Sequence, residues 1–375
     1  MYDVTTVRLR FVAAVAVAIP LVACSTPDSP AEAPPTTATV PALAGDDAPG
    51  AAVAGAPHVA DVIATGLDTP WGLAFLPDGS ALVTERNSGR VLLVSPGAPV
   101  REVGVVDDVV AVRESGLLGV AVSPDFDTDG AVYLYATTTA GNRVFRATFD
   151  GTTLTDPQVI VDGIPAGPTH NGGRLSFGPD GMLYITTGEA GEQDLAQDPA
   201  SLGGKILRVT PDGAPAPGNP DPSSPVYSLG HRNVQGLAFD DEGRLWASEF
   251  GQSDADELNL IVAGGNYGWP LVEGVGGGDE FVDPVLTWPV AQASPSGLAY
   301  RDGTLWLGAL RGERLWRIDI GSDQPTATEF FTDEYGRLRT VVVAPDRSLW
   351  VTTSNHDSSG TPGPEDDRIL RVEVP

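Results

Sequence analysis

One pattern recurs six times after residue 70, and it constrains the fold more than anything else in the chain. Each unit is a short apolar run, a Pro-Asp-type turn, a second apolar run and then a third. Trp71-Gly-Leu-Ala-Phe-Leu-Pro-Asp-Gly leads to Ala81–Glu85 and to Arg90–Ser95. Leu118-Gly-Val-Ala-Val, Arg174-Leu-Ser-Phe, Gln235-Gly-Leu-Ala-Phe, Ser296-Gly-Leu-Ala-Tyr and Thr340-Val-Val-Val open the other five units. Val, Ile, Tyr, Phe and Trp favour strands, and Gly-Pro-Asp-Gly is turn chemistry. Self-similarity at this period means a repeat architecture. Three strands per unit are most of a four-stranded blade, so the reading is all-β, a six-bladed β-propeller. The last unit ends at Pro375 one strand short. Val59–Ala64 precedes the first unit without a partner and is expected to supply that outer strand, closing the ring and removing an exposed edge. The long inserts, 189–204 and 249–256, follow the second strands of units three and four. Long loops on a rigid scaffold are where function concentrates.

The amino-terminal end reads differently. Arg8 and Arg10 precede an apolar run from Phe11 to Ala23, too short for a comfortable membrane span. Leu21-Val-Ala-Cys24 looks like a bacterial lipobox, and Cys24 is the only cysteine. Residues 1–23 are therefore expected to be a lipoprotein signal peptide. Residues 24–57, rich in Pro, Ala and Thr, read as a disordered tether, and 58–375 as the propeller. This predicts export and a lipid anchor on the outer face of a bacterial cell membrane, the chain's only membrane contact. The formal charge of −28, from 22 basic and 50 acidic residues, excludes nucleic acid as a partner. It favours a soluble monomer.

Function should be scattered in sequence yet recur at equivalent places in the repeat, because strand ends around one channel mouth converge on the axis. His170 and Glu189 stand at the two ends of the third unit's hairpin, as a base with an orienting acid. Arg113-Glu114 precedes the second unit's inner strand, and His231-Arg232-Asn233 the fourth's. Arg337-Leu-Arg339 precedes the sixth, and Arg311 follows a second strand. Arg232, Arg311, Arg337 and Arg339 are expected to face one space. Four guanidiniums in an acidic protein suit a planar, multiply anionic ligand. The insert from Ser248 to Asn259 is dense in oxygen donors of the kind calcium takes. Lys205, the only lysine, reads as packing.

These blocks occur in an order that resembles the pyrroloquinoline-quinone-dependent aldose sugar dehydrogenases, relatives of soluble glucose dehydrogenase. The resemblance spans about 58–375. It rests on Trp71-Gly-Leu-Ala-Phe, Gly116-Leu-Leu-Gly, His170-Asn-Gly-Gly-Arg-Leu, Gly204-Lys-Ile-Leu-Arg, Gly230-His-Arg-Asn, Asp256-Glu-Leu-Asn-Leu-Ile, Gly265-Asn-Tyr-Gly-Trp-Pro and Arg337-Leu-Arg. It implies oxidation of an aldose at its anomeric carbon to a lactone, with the quinone (PQQ) as hydride acceptor and calcium as cofactor. His170 would be the general base, Glu189 its orienting acid, and Arg232 the charge facing the quinone carbonyl. Glu114, Asn233, Arg311, Arg337 and Arg339 would complete the cofactor site. Gly251 and Gln252 would offer carbonyls to one calcium, and Glu257 with the Tyr267 carbonyl would match a second.

The chain departs from soluble glucose dehydrogenase at several of these places. Glu114 replaces a glutamine, Glu189 an aspartate, Arg311 a lysine, Gln252 a proline and Thr340 an acid. The sugar-site loops read as short, which suits a broad range of aldoses; neither the physiological sugar nor the electron acceptor is legible. Two other readings stay open. One is a non-catalytic, lipid-anchored sugar- or protein-binding propeller. The other is a calcium-dependent lactonase, since one fold hosts several chemistries.

Overall fold

The computed structural model describes residues 55–322 and 324–375. The signal peptide and all but the last three residues of the expected tether lie outside them. Among the described residues twenty-four strands form six four-stranded antiparallel sheets, the blades of a propeller. Five blades are built from strands consecutive in sequence. The sixth runs inward from His58–Ala64 through Ile369–Glu373 and Leu349–Thr353 to Leu338–Val343. His58 pairs with Glu373 and Val62 with Leu370, so the two ends of the described chain share one sheet. Among the described residues no helix is long and apolar enough to cross a membrane.

The second strand of each blade is buried along its whole length, as in Ala81–Glu85, Leu245–Glu249 and Leu349–Thr353. With both faces covered, apolar residues stand at adjacent positions, such as Leu82-Val83 and Leu245-Trp246, and not only at alternate ones. Blades seal against one another through aromatic edges. Phe75 meets Trp350 at 4.8 Å, Tyr133 meets Phe177 at 5.0 Å and Tyr184 meets Phe239 at 5.1 Å. Edge-to-face contacts of this kind add to the area each ring buries.

The repeat's glycine has a steric cause at the axis, where the inner strands crowd. A Cβ added at Gly72 would lie 2.8 Å from the carbonyl oxygen of Leu118 in the next blade. At Gly119 it would lie 2.1 Å from that of Gly173, and at Gly236 2.3 Å from that of Ser296. At Gly297 it would meet the Val341 nitrogen at 2.6 Å. Blades three and six differ: Arg174 and Thr340 take this place. The backbone proves the equivalence. The N–H groups of Gly72, Arg174 and Thr340 each donate to a second-strand threonine: Thr84, Thr186 and Thr352.

The inserts are more numerous than the sequence suggested. The insert expected at 249–256 is only the short stretch 250–255, whereas 210–225, 262–285 and 354–368 form long connections between strands. Lys205 is fully buried and its Nζ donates to the carbonyls of Leu195, Ala196 and Gly203, at 2.7, 3.0 and 2.6 Å. It therefore ties down the third blade's insert.

Gly119→Ala is expected to destabilise the protein by about 1–3 kcal/mol through overpacking at the axis. Urea unfolding measures this, and an unchanged midpoint would contradict the steric account.

Candidate functional site

The site begins with backbone. His170 sits in the left-handed region at φ 55°. A Cβ on Gly188 would lie 2.0 Å from its carbonyl oxygen, so only glycine lets the returning strand pass there. That return places Glu189 against the ring. His170 Nδ1 lies 2.8 and 2.9 Å from the two carboxylate oxygens of Glu189. Glu189 is 1% exposed, and one of its oxygens also accepts the N–H of Gly191 at 2.5 Å. The carboxylate fixes the proton on Nδ1 and leaves Nε2 as the ring's basic nitrogen. From the second blade, Glu114 accepts the backbone N–H of His170 at 2.9 Å.

Beside this pair, at the same mouth of the channel, is a polar cavity lined by Trp71, Arg86, Glu114, Gln235, Arg337 and Arg339. Arg339 is 4% exposed; it donates to Ser354, to Gln235 and, at 3.4 Å, to Asp357. Arg337 Nε donates to the same Asp357 oxygen at 2.9 Å. Burial brings the Arg339 guanidinium down to about 9. Burial pushes the Asp357 carboxyl up, but Arg339 and Arg337 outweigh it and hold the carboxyl below its ordinary value. A larger cavity at the opposite mouth is walled mainly by apolar inner-strand residues such as Leu73, Phe177 and Val341. It holds none of the predicted site residues.

The expected arginine set is partly corrected. Arg337 and Arg339 do share the cavity. Arg311 does not line it: its side chain is exposed, and its neighbour Leu310 faces the cavity instead. Arg86 and Arg113, which the sequence reading gave no such role, line it with Arg337 and Arg339. Arg232 stands beside the cavity, donating to the carbonyls of Gly251 at 2.6 Å and Phe250 at 3.3 Å and lying 5.3 Å over the Trp269 ring. Burial lowers its pKa. Its Nε is buried without a partner, as is Nδ2 of the adjacent Asn233. Buried donors are almost always satisfied, so these two fit a ligand rich in oxygen acceptors. Asp357, in the 354–368 insert, escaped the sequence reading.

Ser228, His231 and Glu249 are spaced like a nucleophilic triad, with 2.8 Å between each successive pair. All three are buried, and the carboxylate spends its other oxygen on the N–H of Arg232. The trio is a brace for Arg232.

Among the described residues no group of three or more His, Cys, Asp or Glu is placed to hold a metal. The donors read from sequence nevertheless include hard oxygens. Glu257 is buried near Glu249, and burial followed by that neighbour pushes its carboxyl up to about 8. Asn259 Nδ2 donates to both carboxylates, while its Oδ1 is buried without a partner. Two carboxylates and a spare amide oxygen fit a hard cation. The other expected pair is less open. The Gly251 carbonyl is already taken by Arg232, and one oxygen of Glu273 gathers the N–H groups of residues 252 to 255.

The sequence profile of the glucose / sorbosone dehydrogenase family matches residues 67–361. The structure of the PQQ-bound aldose sugar dehydrogenase of Streptomyces coelicolor superposes with a TM-score of 0.84 at 52% identity. That match covers 86% of this chain and 98% of the other. The aldose sugar dehydrogenase YliI of Escherichia coli is 31% identical over 80% of this chain and 90% of its own length. A gluconolactonase-like structure at 15% identity and a TM-score of 0.53 shares the fold alone.

Asp357→Asn is expected to cost roughly 3 kcal/mol at neutral pH, because it leaves two arginines without their buried counter-charge. A carboxyl held low in the folded state stabilises above its unfolded pKa, and that contribution disappears as pH falls through the folded value. The difference between wild type and variant in urea melts should therefore shrink in acid. A difference that persists there would contradict the pairing.

Proposed function

Taking as premise that the chain belongs to the glucose / sorbosone dehydrogenase family, we propose that it oxidises aldose sugars at the anomeric carbon to lactones with pyrroloquinoline quinone. One observation carries the reading: a histidine–carboxylate pair stands beside an arginine-lined cavity flanked by two unpartnered buried donors. When bound, the quinone supplies the two-electron acceptor for the hydride leaving the sugar carbon.

The chain's own residues then divide the work. His170 Nε2 takes the proton of the anomeric hydroxyl, and Glu189 holds Nδ1–H and stabilises the imidazolium that forms. Glu114 keeps the His170 backbone in place. Arg232 supplies a fixed positive charge where negative charge develops, braced by Glu249 through its backbone N–H. Asn233, Arg337 and Arg339 hold the cofactor's oxygens. The Gly251 and Gln252 carbonyls would hold a calcium ion, which would supply Lewis-acid chemistry there. Glu257 and the Tyr267 carbonyl would hold a second calcium in a structural role. Export, the Cys24 lipid anchor and a monomeric state complete the proposal. A passive binding propeller or a lactonase has no use for this combination of base, acid and anion cradle.

Reconstitution of the protein with the quinone and calcium should give dye reduction with several aldoses. His170→Gln should lower kcat by about 10²–10⁴-fold while quinone absorbance is retained. Undiminished activity in the variant, or no activity in the wild type, would overturn the reading. Calcium should raise the Tm of the wild type more than that of Glu257→Gln, which keeps only the other site; equal shifts would remove Glu257 from the ion's ligands.

A further inference from the structure

Arg174 has no role in the site described so far, yet its place in the fold is unusual. It occupies the inner-strand position that is glycine in four blades, and its side chain crosses the channel. Nε donates to the Gln235 carbonyl of blade four at 2.8 Å, and Nη2 to Thr340 Oγ1 of blade six at 3.2 Å. The guanidinium lies 4.4 Å from the centre of the Trp71 ring, in blade one. One arginine thus contacts three other blades. It lines the cavity at the far mouth, while Trp71 and Gln235 line the cavity at the near one. Arg174 is therefore the plug between them.

Its charge is unusual too. Arg174 is 9% exposed, and among the described residues it makes no ion pair. Both hydrogen-bond partners are neutral. The charge that acts on it is that of another cation, Arg339, which lies 5.8 Å over the same Trp71 ring. Burying a guanidinium without a counter-ion is costly, and the cation–π contact with Trp71 offsets only part of that cost. A plug could be apolar; this one is a cation directed at the floor of the cofactor cavity.

We propose that Arg174 is a fixed counter-charge beneath that cavity, balanced when an anionic cofactor binds above Trp71. Thr340 is part of the device. It offers a hydroxyl and not a carboxylate, so the charge of Arg174 stays uncompensated within the protein. The inference rests on the quinone reading, and it assigns Arg174 to positioning and electrostatics. A cation below the quinone favours the oxidised cofactor over an empty site and the more negative reduced form over the oxidised one.

The test uses the full chain with calcium, titrated with pyrroloquinoline quinone and followed by quinone absorbance. The midpoint potential of the bound quinone is measured in parallel. Arg174→Met should weaken binding tenfold or more and lower the potential, by about 30 mV for each tenfold loss of preference for the reduced form. Arg174→Lys should recover most of both. Thr340→Asp, which gives Arg174 a partner without opening the channel, should weaken binding several-fold, and it serves if Arg174→Met does not fold. Binding and potential within twofold and 10 mV of wild type in the folded variants would overturn the inference but leave the proposed function standing (about 10 mV being roughly a twofold change on the same scale). A wild type that binds no quinone would overturn both.

Discussion

Six inner strands converge on one axis, and the space there is too small for ordinary side chains. Four blades meet the constraint with glycine, because the next blade's backbone would stand within 3 Å of any Cβ. Close packing at the axis is what holds the blades in register. It fixes the strand ends at the channel mouth, and with them every side chain of the site. Where the rule is broken, at Arg174 and Thr340, the two side chains fill the channel together and touch one another.

The second organising force is electrostatic. A chain with a net charge of −28 keeps a cluster of guanidiniums at its centre. Arg86, Arg113, Arg337 and Arg339 line one small cavity, with Arg174 below. Glu114 and Asp357 are the acids among the lining residues, and Asp357 serves both Arg337 and Arg339. Inside a protein such charges act through a weak dielectric and need little reorganisation when a ligand arrives. His170 stands at the border of this field, its ring fixed by Glu189 and its backbone by Glu114.

Much of this was legible in sequence. The repeat gave the propeller because strand, turn and strand recur with recognisable chemistry. His170 and Glu189 were legible because one hairpin joins them. Arg311 was misplaced by a single residue. The first residue after a second strand, Arg86, Phe250 or Leu310, faces the cavity, and the next one in the fifth blade does not. Side chains alternate along extended chain, so a slip of one position reverses the direction. Applied strictly, that rule would have found Arg86. Asp357 was beyond it, since its insert follows no repeat register and only the folded loop brings the carboxylate back to Arg337.

The central claim is that this cavity is organised for a planar anionic oxidant beside a histidine base. A crystal structure of the protein with pyrroloquinoline quinone tests it most directly. The account predicts the quinone in the cavity above Trp71, with Asn233 Nδ2 and Arg232 Nε no longer without partners and a quinone carboxylate against Arg337 or Arg339. A quinone bound elsewhere, with those donors still empty, would contradict it.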